Sequence, residues 1–311
     1  MKSLNGRWRA AGVGLLFLMG LGLAACSQGP KIELDPDSEA FYETARLIMT
    51  KQEKQIFNHL PDRASREEFI QDFWLKRDPD PLTEENEYKE EFFRRIEYAN
   101  DRFNEGTPGW KTDRGRIYIY FGEPDKIEQH PFLNEPDVKG VILWVYYRYG
   151  FGVYFIDRRG DGAYVLDPSP AEFGGGVFGS FFDALEMAKL GFAPQDPETA
   201  RKFMDFDLKF DRAKGEILIS IPVDALTFRE EANRLQADFD FEFFVYPKNG
   251  PRADRIRESR HFEATESELL EMKAVVFAFS FELKPGKYII DVIIIGREDS
   301  GKARKIFEIK V

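Results

Sequence analysis

The sequence predicts an α+β fold in which three helices and a small antiparallel sheet precede an all-β sandwich. Between residues 36 and 103, apolar residues recur every three or four positions, which is typical of helices with one buried face. From residue 117 onward the apolar period falls to two, and after residue 203 apolar and charged residues alternate in one segment after another. These patterns place the helices first and most of the strands second.

Residues 1–25 have the order of an export signal: a basic head, an apolar run at 10–21 and small residues before Cys26. The apolar run is too short for a helix that spans a membrane. Cys26 is the only cysteine in the chain, and it directly follows Leu23-Ala24-Ala25. This order resembles the lipobox of bacterial lipoproteins, in which the cysteine carries the lipid. An ordinary signal peptide with a chance cysteine is the alternative.

The predicted signal peptide ends at residue 25, and residues 26–35 form a membrane-proximal tether. Ser27 after the cysteine favours the outer membrane of the cell envelope, on its periplasmic face, with the membrane bound through the N-terminal lipid. The chain carries 55 acidic against 44 basic side chains, a balance that disfavours nucleic acid as a partner. Nucleotides are cytoplasmic compounds, so neither a nucleotide nor another cofactor is expected, and other envelope proteins are the expected partners.

Three helices are predicted in the first third of the chain. The first begins at Asp35-Pro36, an acidic cap followed by proline, and ends before Pro61. The second begins at Ser65, which has a glutamate at the capping-box position. The third begins at Thr83, and its apolar stripe extends to Phe103. Each helix is therefore expected to bury one face.

A small antiparallel sheet is predicted after the helices. Asp161-Gly162 is a favourable hairpin turn pair and separates the last two strands. The strands are expected at residues 117–121, 142–149, 152–157 and 163–166. Helices and sheet together give a first domain at residues 36–170.

Residues 171–202 are predicted to connect this domain with the next one. Gly174–Gly176 would be flexible, and residues 181–190 have the pattern of a short helix. Residues 174–179 match G-x-G-x-x-G, but the dinucleotide motif needs a strand that ends at the first glycine, and prolines precede it here. We therefore interpret these glycines as a hinge.

Residues 203–311 are predicted to form a β-sandwich of immunoglobulin-like or related topology. Segments of period two follow one another without a long helix, and Pro285-Gly286 marks a turn between two of them. The strands are expected at residues 204–210, 216–222, 235–245, 254–262, 273–283, 287–296 and 303–311.

The stretch from Gly106 to Glu128 is unusual, because glycine, proline, tryptophan and charged residues surround a short apolar run. Gly109 is expected to adopt backbone angles that other residues avoid. Trp110 is expected to be a buried anchor whose ring packs in the core.

Two turns are expected on either side of the strand at residues 117–121. Arg116 leads into that strand. The turns comprise Thr112, Asp113, Arg114 and Gly115 on one side and Gly122, Glu123, Pro124 and Asp125 on the other.

Gly109-Trp110-Lys111-Thr112-Asp113 is the signature of the GWxTD domain, a bacterial family often found in exported proteins, and this chain resembles that family. Residues 73–103 resemble the helical lead-in of the family, and residues 109–128 resemble its core. The likeness extends over residues 60–170. The family has no established activity, so the resemblance implies a domain and no mechanism.

Several charged residues lie beside turns that are expected to meet in space. They favour a salt-bridged corner in which Asp113 caps a turn and arginines pair with Asp78 and Asp125. A binding cleft is a second interpretation, and a hydrolytic or calcium site built from the carboxylates is a third. The residues are Arg77, Asp78, Asp80, Asp113, Arg114, Arg116, Glu123 and Asp125.

The sequence favours a non-enzymatic binding or assembly module of the cell envelope. It contains no HExxH, GxSxG or P-loop motif, and we assign no catalytic residue and no metal ligand. A carboxylate-based hydrolase acting on envelope polymers and a purely structural spacer are the alternatives.

Overall fold

A computed structural model describes residues 34–79, 83–130, 138–172, 180–191, 205–298 and 301–311. The predicted signal peptide, Cys26, the hinge glycines Gly174–Gly176 and Asp80 lie outside these ranges.

Five α-helices occupy the described part of the chain up to residue 121. Each is preceded by a polar cap residue whose side chain accepts a hydrogen bond from the backbone N–H three residues later. Such caps satisfy N–H groups that have no partner within the helix. These cap residues are Asp35, Thr50, Asp62, Asn86 and Thr112. The helices are α1 (Pro36–Ala45), α2 (Lys51–Phe57), α3 (Arg63–Leu75), α4 (Glu87–Arg102) and α5 (Asp113–Phe121).

The predicted helix bounds need three corrections. The first predicted helix is two helices, because Thr50 and Glu53 form a capping box that starts α2. The second helix is capped by Asp62, whose carboxylate accepts the N–H of Ser65, so Ser65 lies inside the first turn. The third is capped by Asn86, three residues after the predicted Thr83.

The predicted strand at residues 117–121 is wrong, because these residues belong to helix α5. The predicted β-turn at residues 112–115 is likewise the cap and first turn of this helix. Ile119 packs in the core of the helical layer, whereas Ile117 and Phe121 pack against the small sheet. A helix that is buried on two sides carries apolar residues on two faces. In α5 this places buried apolar residues at every second position, which is also the pattern of a strand.

The small sheet is antiparallel, with strand order β1-β2-β3-β4 and β5 beside β3. Its core face packs against α5 and α6, with Trp144, Phe151 and Phe155 almost fully buried. Strand β1 was not expected from the sequence. The elements are β1 (Lys126–His130), β2 (Gly140–Tyr146), β3 (Phe151–Asp157), β4 (Val165–Leu166), β5 (Ala171–Glu172) and α6 (Phe181–Lys189).

In the described residues from 205 onward, two antiparallel sheets enclose a common aromatic core. One sheet has the order β10-β9-β12-β13 with β8 beside β9, and the other has the order β11-β7-β6. Phe241 and Phe243 of the first sheet contact Phe279 of the second. The elements are β6 (Asp207–Asp211), β7 (Glu216–Pro222), β8 (Arg229–Glu231), β9 (Arg234–Pro247), β10 (Asp254–Ala264), α7 (Glu266–Glu271), β11 (Ala274–Ser280), β12 (Lys287–Gly296) and β13 (Lys302–Lys310).

The larger sheet is buried on both faces. Val245 and Ile290 point into the sandwich core, whereas Tyr246 and Ile289 on the opposite face belong to the core of the helical layer. Residues 34–311 accordingly form one compact unit. The predicted α+β fold class is confirmed.

Candidate functional site

The residues of the GWxTD stretch form a corner in which α4, a 3-10 turn at Gly109–Lys111 and α5 pack with their backbones in direct contact. A Cβ atom on Gly109 would lie 1.8 Å from the carbonyl oxygen of Ala99 in α4. A Cβ atom on Gly115 would lie 1.9 Å from the carbonyl oxygen of Gly109. Gly109 does not have a positive φ, so the sequence-based reason for this glycine was wrong. Both glycines are needed because no side chain fits between the backbones.

Trp110 is buried in the core of the helical layer, with 8% of its surface exposed. Its backbone N–H donates to Asn100 Oδ1 at 3.3 Å. The ammonium group of Lys111 lies 4.8 Å from the centre of the indole and pairs with Glu43 at 2.7 Å. The indole therefore fixes the 3-10 turn against α4 rather than facing solvent.

Thr112 joins the 3-10 turn to α5 through its hydroxyl group. Oγ1 donates to the carbonyl oxygen of Gly109 at 2.7 Å and accepts from the N–H of Gly115 at 3.0 Å. The side chain thus satisfies the end of one element and caps the start of the next, and it is itself buried.

Two carboxylates connect the corner to the edge of the small sheet. Asp113 Oδ2 accepts the N–H of Leu166 at 2.8 Å, and Glu105 Oε2 accepts the N–H of Tyr164 at 3.1 Å. Arg114 Nε donates to Glu105 Oε1 at 2.7 Å, and Arg116 pairs with Asp113. Asp113 therefore fixes β4 to α5, and Glu105 fixes the residue before β4 to the loop after α4. The arginines balance the charge of both acids.

Glu105 was not among the residues singled out from the sequence. It lies just before the motif, in a stretch where a solvated acid would look the same. The guanidinium of Arg114 also lies 4.7 Å from the centre of the Tyr164 ring, which holds the same loop from a second direction.

The far end of α5 is fixed by Gly122 and Asp125. Gly122 ends the helix with a φ of +77°, and its carbonyl oxygen accepts from the hydroxyl of Tyr146 at 3.1 Å. Asp125 Oδ2 accepts the N–H of Tyr147 at 2.8 Å. Pro124 is half-buried between them, and Glu123 is exposed.

The pairing that the sequence suggested differs from the observed one. Arg114 and Arg116 pair with Glu105 and Asp113, not with Asp78 and Asp125. Arg77 and Asp78 are buried just after the end of α3, and Arg77 belongs to a separate group of buried charges.

That group, here called the buried charge cluster, comprises Glu53, Lys76, Arg77, Asp291 and Arg304. All five side chains are at most 2% exposed. Arg77 binds Glu53 through two hydrogen bonds of 2.9 and 2.7 Å, and Arg304 binds Asp291 through two of 2.9 and 2.7 Å. Arg304 also donates to Glu53 at 2.7 Å. The cluster therefore links α2 and the end of α3 to strands β12 and β13.

Lys76 completes the buried charge cluster by an ionic contact. Its Nζ lies 2.9 Å from Asp291 Oδ2, but at an angle unsuited to a hydrogen bond. Three aromatic rings surround the same ammonium group, the nearest being Phe244 at 4.9 Å. Attraction to aromatic faces partly replaces the lost water.

Burial by itself raises the pKa of Glu53, but attraction from Arg77 and Arg304 outweighs it and holds the pKa well below its ordinary value. Burial also raises the pKa of Asp291, but attraction from Arg304 and Lys76 outweighs it and lowers the pKa below its ordinary value. Both carboxylates are therefore ionised in the folded protein at neutral pH.

Backbone carbonyl groups take up the remaining cationic donors. Arg77 donates to the carbonyl oxygen of Lys189, and Arg304 donates to that of Leu190 at 3.3 Å, so the end of α6 is held here too. Lys302 Nζ donates to the carbonyl oxygens of Lys76 and Asp78 at 3.3 and 2.7 Å. Of the cluster, only Arg77 was singled out from the sequence. Lys76 and Asp291 adjoin apolar residues, whereas Glu53 and Arg304 lie among other charged and polar residues and give no local signal.

A cleft of about 470 Å³ opens beside this cluster, between the end of α3 and the face of the larger sheet. Leu75 forms part of the wall, and Ile293 and Ile295 of β12 form part of the floor. Phe241 and Ser259 also line it, and the remaining residues of the lining are charged: Asp78, Asp240, Glu242, Arg257, Glu258 and Lys302.

Within the ranges that the structure describes, no three His, Cys, Asp or Glu side chains are grouped so that they could hold a metal ion. None of the helices in the same ranges combines the length and the apolar character needed to cross a bilayer.

Two solved structures show a remote similarity to this chain. The chicken interferon gamma receptor alpha chain is similar at 8% identity and a TM-score of 0.22, over 61% of this chain and 98% of the receptor chain. A beta-glucuronidase of Bacteroides uniformis is similar at 10% identity and a TM-score of 0.18, over 36% of this chain and 13% of the enzyme. These scores support no argument about fold or function. The comparison with curated proteins gives no match.

The comparison with protein families gives a match that includes the corner. The model described as the GWxTD domain matches residues 30–149, a range that begins before α1 and ends after β2. Gly109, Trp110, Thr112 and Asp113, the residues that give the family its name, are those that join α4, α5 and the small sheet. Residues 30–149 of this chain are therefore a GWxTD domain.

Proposed function

We propose that this protein is an exported, lipid-anchored binding module of the cell envelope, held at the outer membrane through Cys26, with its binding surface in the cleft beside α3. The GWxTD corner supports this division of roles. Its carboxylates accept backbone N–H groups, its indole is buried and its arginines are paired. These residues build the scaffold, and the recognition surface lies elsewhere.

The cleft is the observation on which the proposal depends. It has an apolar floor and a charged rim, the combination found where proteins bind a ligand or a peptide with fixed orientation. Its floor belongs to a sheet that is packed on both faces, so the surface is held in place before a partner arrives.

The charge of the lining favours a particular kind of partner. Acidic residues outnumber basic ones in the lining, with Asp78, Asp240 and Glu242 against Arg257 and Lys302. Glu258 lies opposite Phe241, so its side chain is on the sandwich face of the sheet and is not counted here. We infer that the occupant is an extended peptide segment of another envelope protein, with an apolar side chain for the floor and a basic one for the rim.

A photo-crosslinking experiment in intact envelopes tests this proposal. A diazirine analogue of leucine replaces Leu75 in the wall of the cleft, and in a control chain it replaces Leu270, which is 81% exposed on α7. We expect a defined envelope protein to be captured from position 75 and not from position 270. Equal capture from both positions, or capture of no protein from position 75, would contradict the proposal.

The lipid anchor needs its own test. Cys26→Ser removes the thiol that the lipid would occupy. We expect the variant to incorporate no labelled palmitate and to leave the membrane fraction, because a protein without acyl chains has lost that contribution to membrane binding. A variant that still takes up the label would show that the anchor is wrongly assigned.

A further inference from the structure

Strand β10 (Asp254–Ala264) is a long outer strand of the larger sheet. Its 11 residues pair with β9 from end to end, from Asp254 opposite Val245 to Ala264 opposite Leu235, without a bulge. Within the described ranges, no strand pairs with its other edge. Such an edge presents a row of N–H and C=O groups that another strand can bind.

The sequence of β10 is complementary to itself when it is read in the opposite direction. We propose that two copies of this chain pair through β10 in antiparallel orientation, about a two-fold axis at Ser259. This register places Arg255 opposite Glu263 of the second copy, and Glu258 opposite Arg260 of the second copy. Because of the two-fold axis, each of these opposite-charge pairs occurs twice. Within one copy Arg255 already pairs with Glu242, and Arg260 pairs with Glu258, so strand pairing gives each charge a second partner.

The apolar residues of β10 match in the same register. Ile256 comes to lie opposite Phe262 of the second copy. Both side chains are half-buried at the margin of the sandwich core. Pairing would cover their exposed portions and extend the core across the contact.

Neighbouring two-fold registers lack this complementarity. An axis at Glu258 places two glutamates directly opposite each other, and an axis at Arg260 does the same with two arginines. Like charges directly opposite each other destabilise a strand pair. The charges therefore select the axis at Ser259.

One cross-strand pair in the selected register brings two basic side chains together, namely Arg257 and His261 of the second copy. Each side chain already has an acidic partner on β9. Arg257 Nε lies 2.6 Å from Glu242 Oε1, and His261 Nδ1 lies 2.8 Å from Asp238 Oδ1. These acids compensate the two side chains locally.

The proposed contact joins two five-stranded sheets into one continuous sheet. A single strand pair is small beside the interfaces of permanent dimers, so we expect a dimer that forms reversibly. Arg257 and Ser259 of β10 also line the cleft, but the inference rests on the outer edge of the strand and not on which molecule occupies the cleft.

Disulfide crosslinking of the purified full chain tests the register. In Ser259→Cys the thiols at position 259 of the two copies lie directly opposite each other. Their Cα atoms would be about 5 Å apart, the separation that a disulfide needs. In Glu263→Cys, on the same strand face, the two thiols would lie about 27 Å apart. Both positions are exposed, so neither change disturbs packing. The parent chain, with Cys26 alone, gives the background.

We expect a linked dimer from Ser259→Cys, and none above background from Glu263→Cys. A mixture of Arg255→Cys and Glu263→Cys chains should link, because these positions face each other. Equal yields from Ser259→Cys and Glu263→Cys, no link from Ser259→Cys, or a linked product other than twice the chain mass would overturn the proposal.

A charge exchange in the Ser259→Cys chain adds a second readout. Arg260→Glu places this glutamate opposite Glu258 of the second copy and should lower the crosslinking yield at least several-fold. The further change Glu258→Arg restores opposite charges and should restore the yield. A crosslinking yield that stays the same after both changes would also overturn the proposal.

Discussion

The GWxTD corner and the buried charge cluster both hold separate elements together, but they use opposite means. In the corner the backbones approach because Gly109 and Gly115 have no side chain, and the acids accept neighbouring N–H groups. In the cluster three cations and two carboxylates are each at most 2% exposed, and they solvate one another in place of water. The first depends on shape and the second on charge.

The two regions also differ in how far apart their members lie in the sequence. Gly109, Thr112 and Gly115 lie within one short stretch, so the corner leaves a recognisable local motif. Arg304 and Glu53 are 251 positions apart, and the cluster leaves no motif. A family signature therefore marks the part of a fold whose constraints are local, while equally strict constraints elsewhere go unmarked.

The largest expected effect comes from removing one charge of the cluster. Glu53→Gln leaves Arg77 and Arg304 without their shared carboxylate in a site closed to water. We expect the free energy of unfolding to fall by about 3–5 kcal/mol. Urea denaturation of both chains measures it.

Glu67→Gln is the matched control, because Glu67 pairs with Arg63 at 2.6 Å on the surface. An exposed pair contributes at most about 1 kcal/mol. If Glu53→Gln and Glu67→Gln lower the free energy of unfolding by the same amount, burial gives the cluster no greater effect on stability than a surface ion pair.

Acid should weaken the cluster in the same way as the Glu53→Gln substitution. The pKa values of Glu53 and Asp291 are lowered on folding, so the unfolded chain binds more protons than the folded one below about pH 5. Their contribution is complete above the unfolded pKa and is lost as the pH falls through that value toward the folded one.

Urea denaturation at a series of pH values should show this loss. In Glu53→Gln the decline should be shallower, since one of the two titrating carboxylates is gone. Parallel curves for the parent and the variant would show that Glu53 does not contribute to the acid sensitivity.

The same contrast explains what the sequence could predict. Strands β7 and β12 have the predicted bounds, because each forms one regular segment with a clear start and stop. The fold class and the GWxTD domain followed from such local patterns. Helix α5 was mistaken for a strand, because its burial between two layers is a tertiary property that no window of residues contains.

The candidate site could be predicted only in part for a similar reason. Gly109, Trp110 and Asp113 were singled out, but the partners of the acids were not. Glu105 and Asp291 resemble ordinary charged residues until the chain brings Arg114 and Arg304 beside them. A buried ion pair is defined by two positions at once, and a single sequence shows them only one at a time.

The smallest expected effect belongs to the corner and tests its steric basis. Gly109→Ala places a methyl group where the carbonyl oxygen of Ala99 lies 1.8 Å away, so α4 or the 3-10 turn must shift. We expect a loss of about 3 kcal/mol, at the upper end of overpacking, because the obstacle is backbone and cannot rotate aside.

Gly250→Ala supplies the comparison, since the nearest atom to its Cβ would lie 3.6 Å away and its φ is not positive. There the smaller entropy of the unfolded chain should make the change neutral or stabilising by up to about 1 kcal/mol. Thermal and urea unfolding of both variants decide the matter. If Gly109→Ala is as harmless as Gly250→Ala, contact between the backbones is not what requires glycine at the corner.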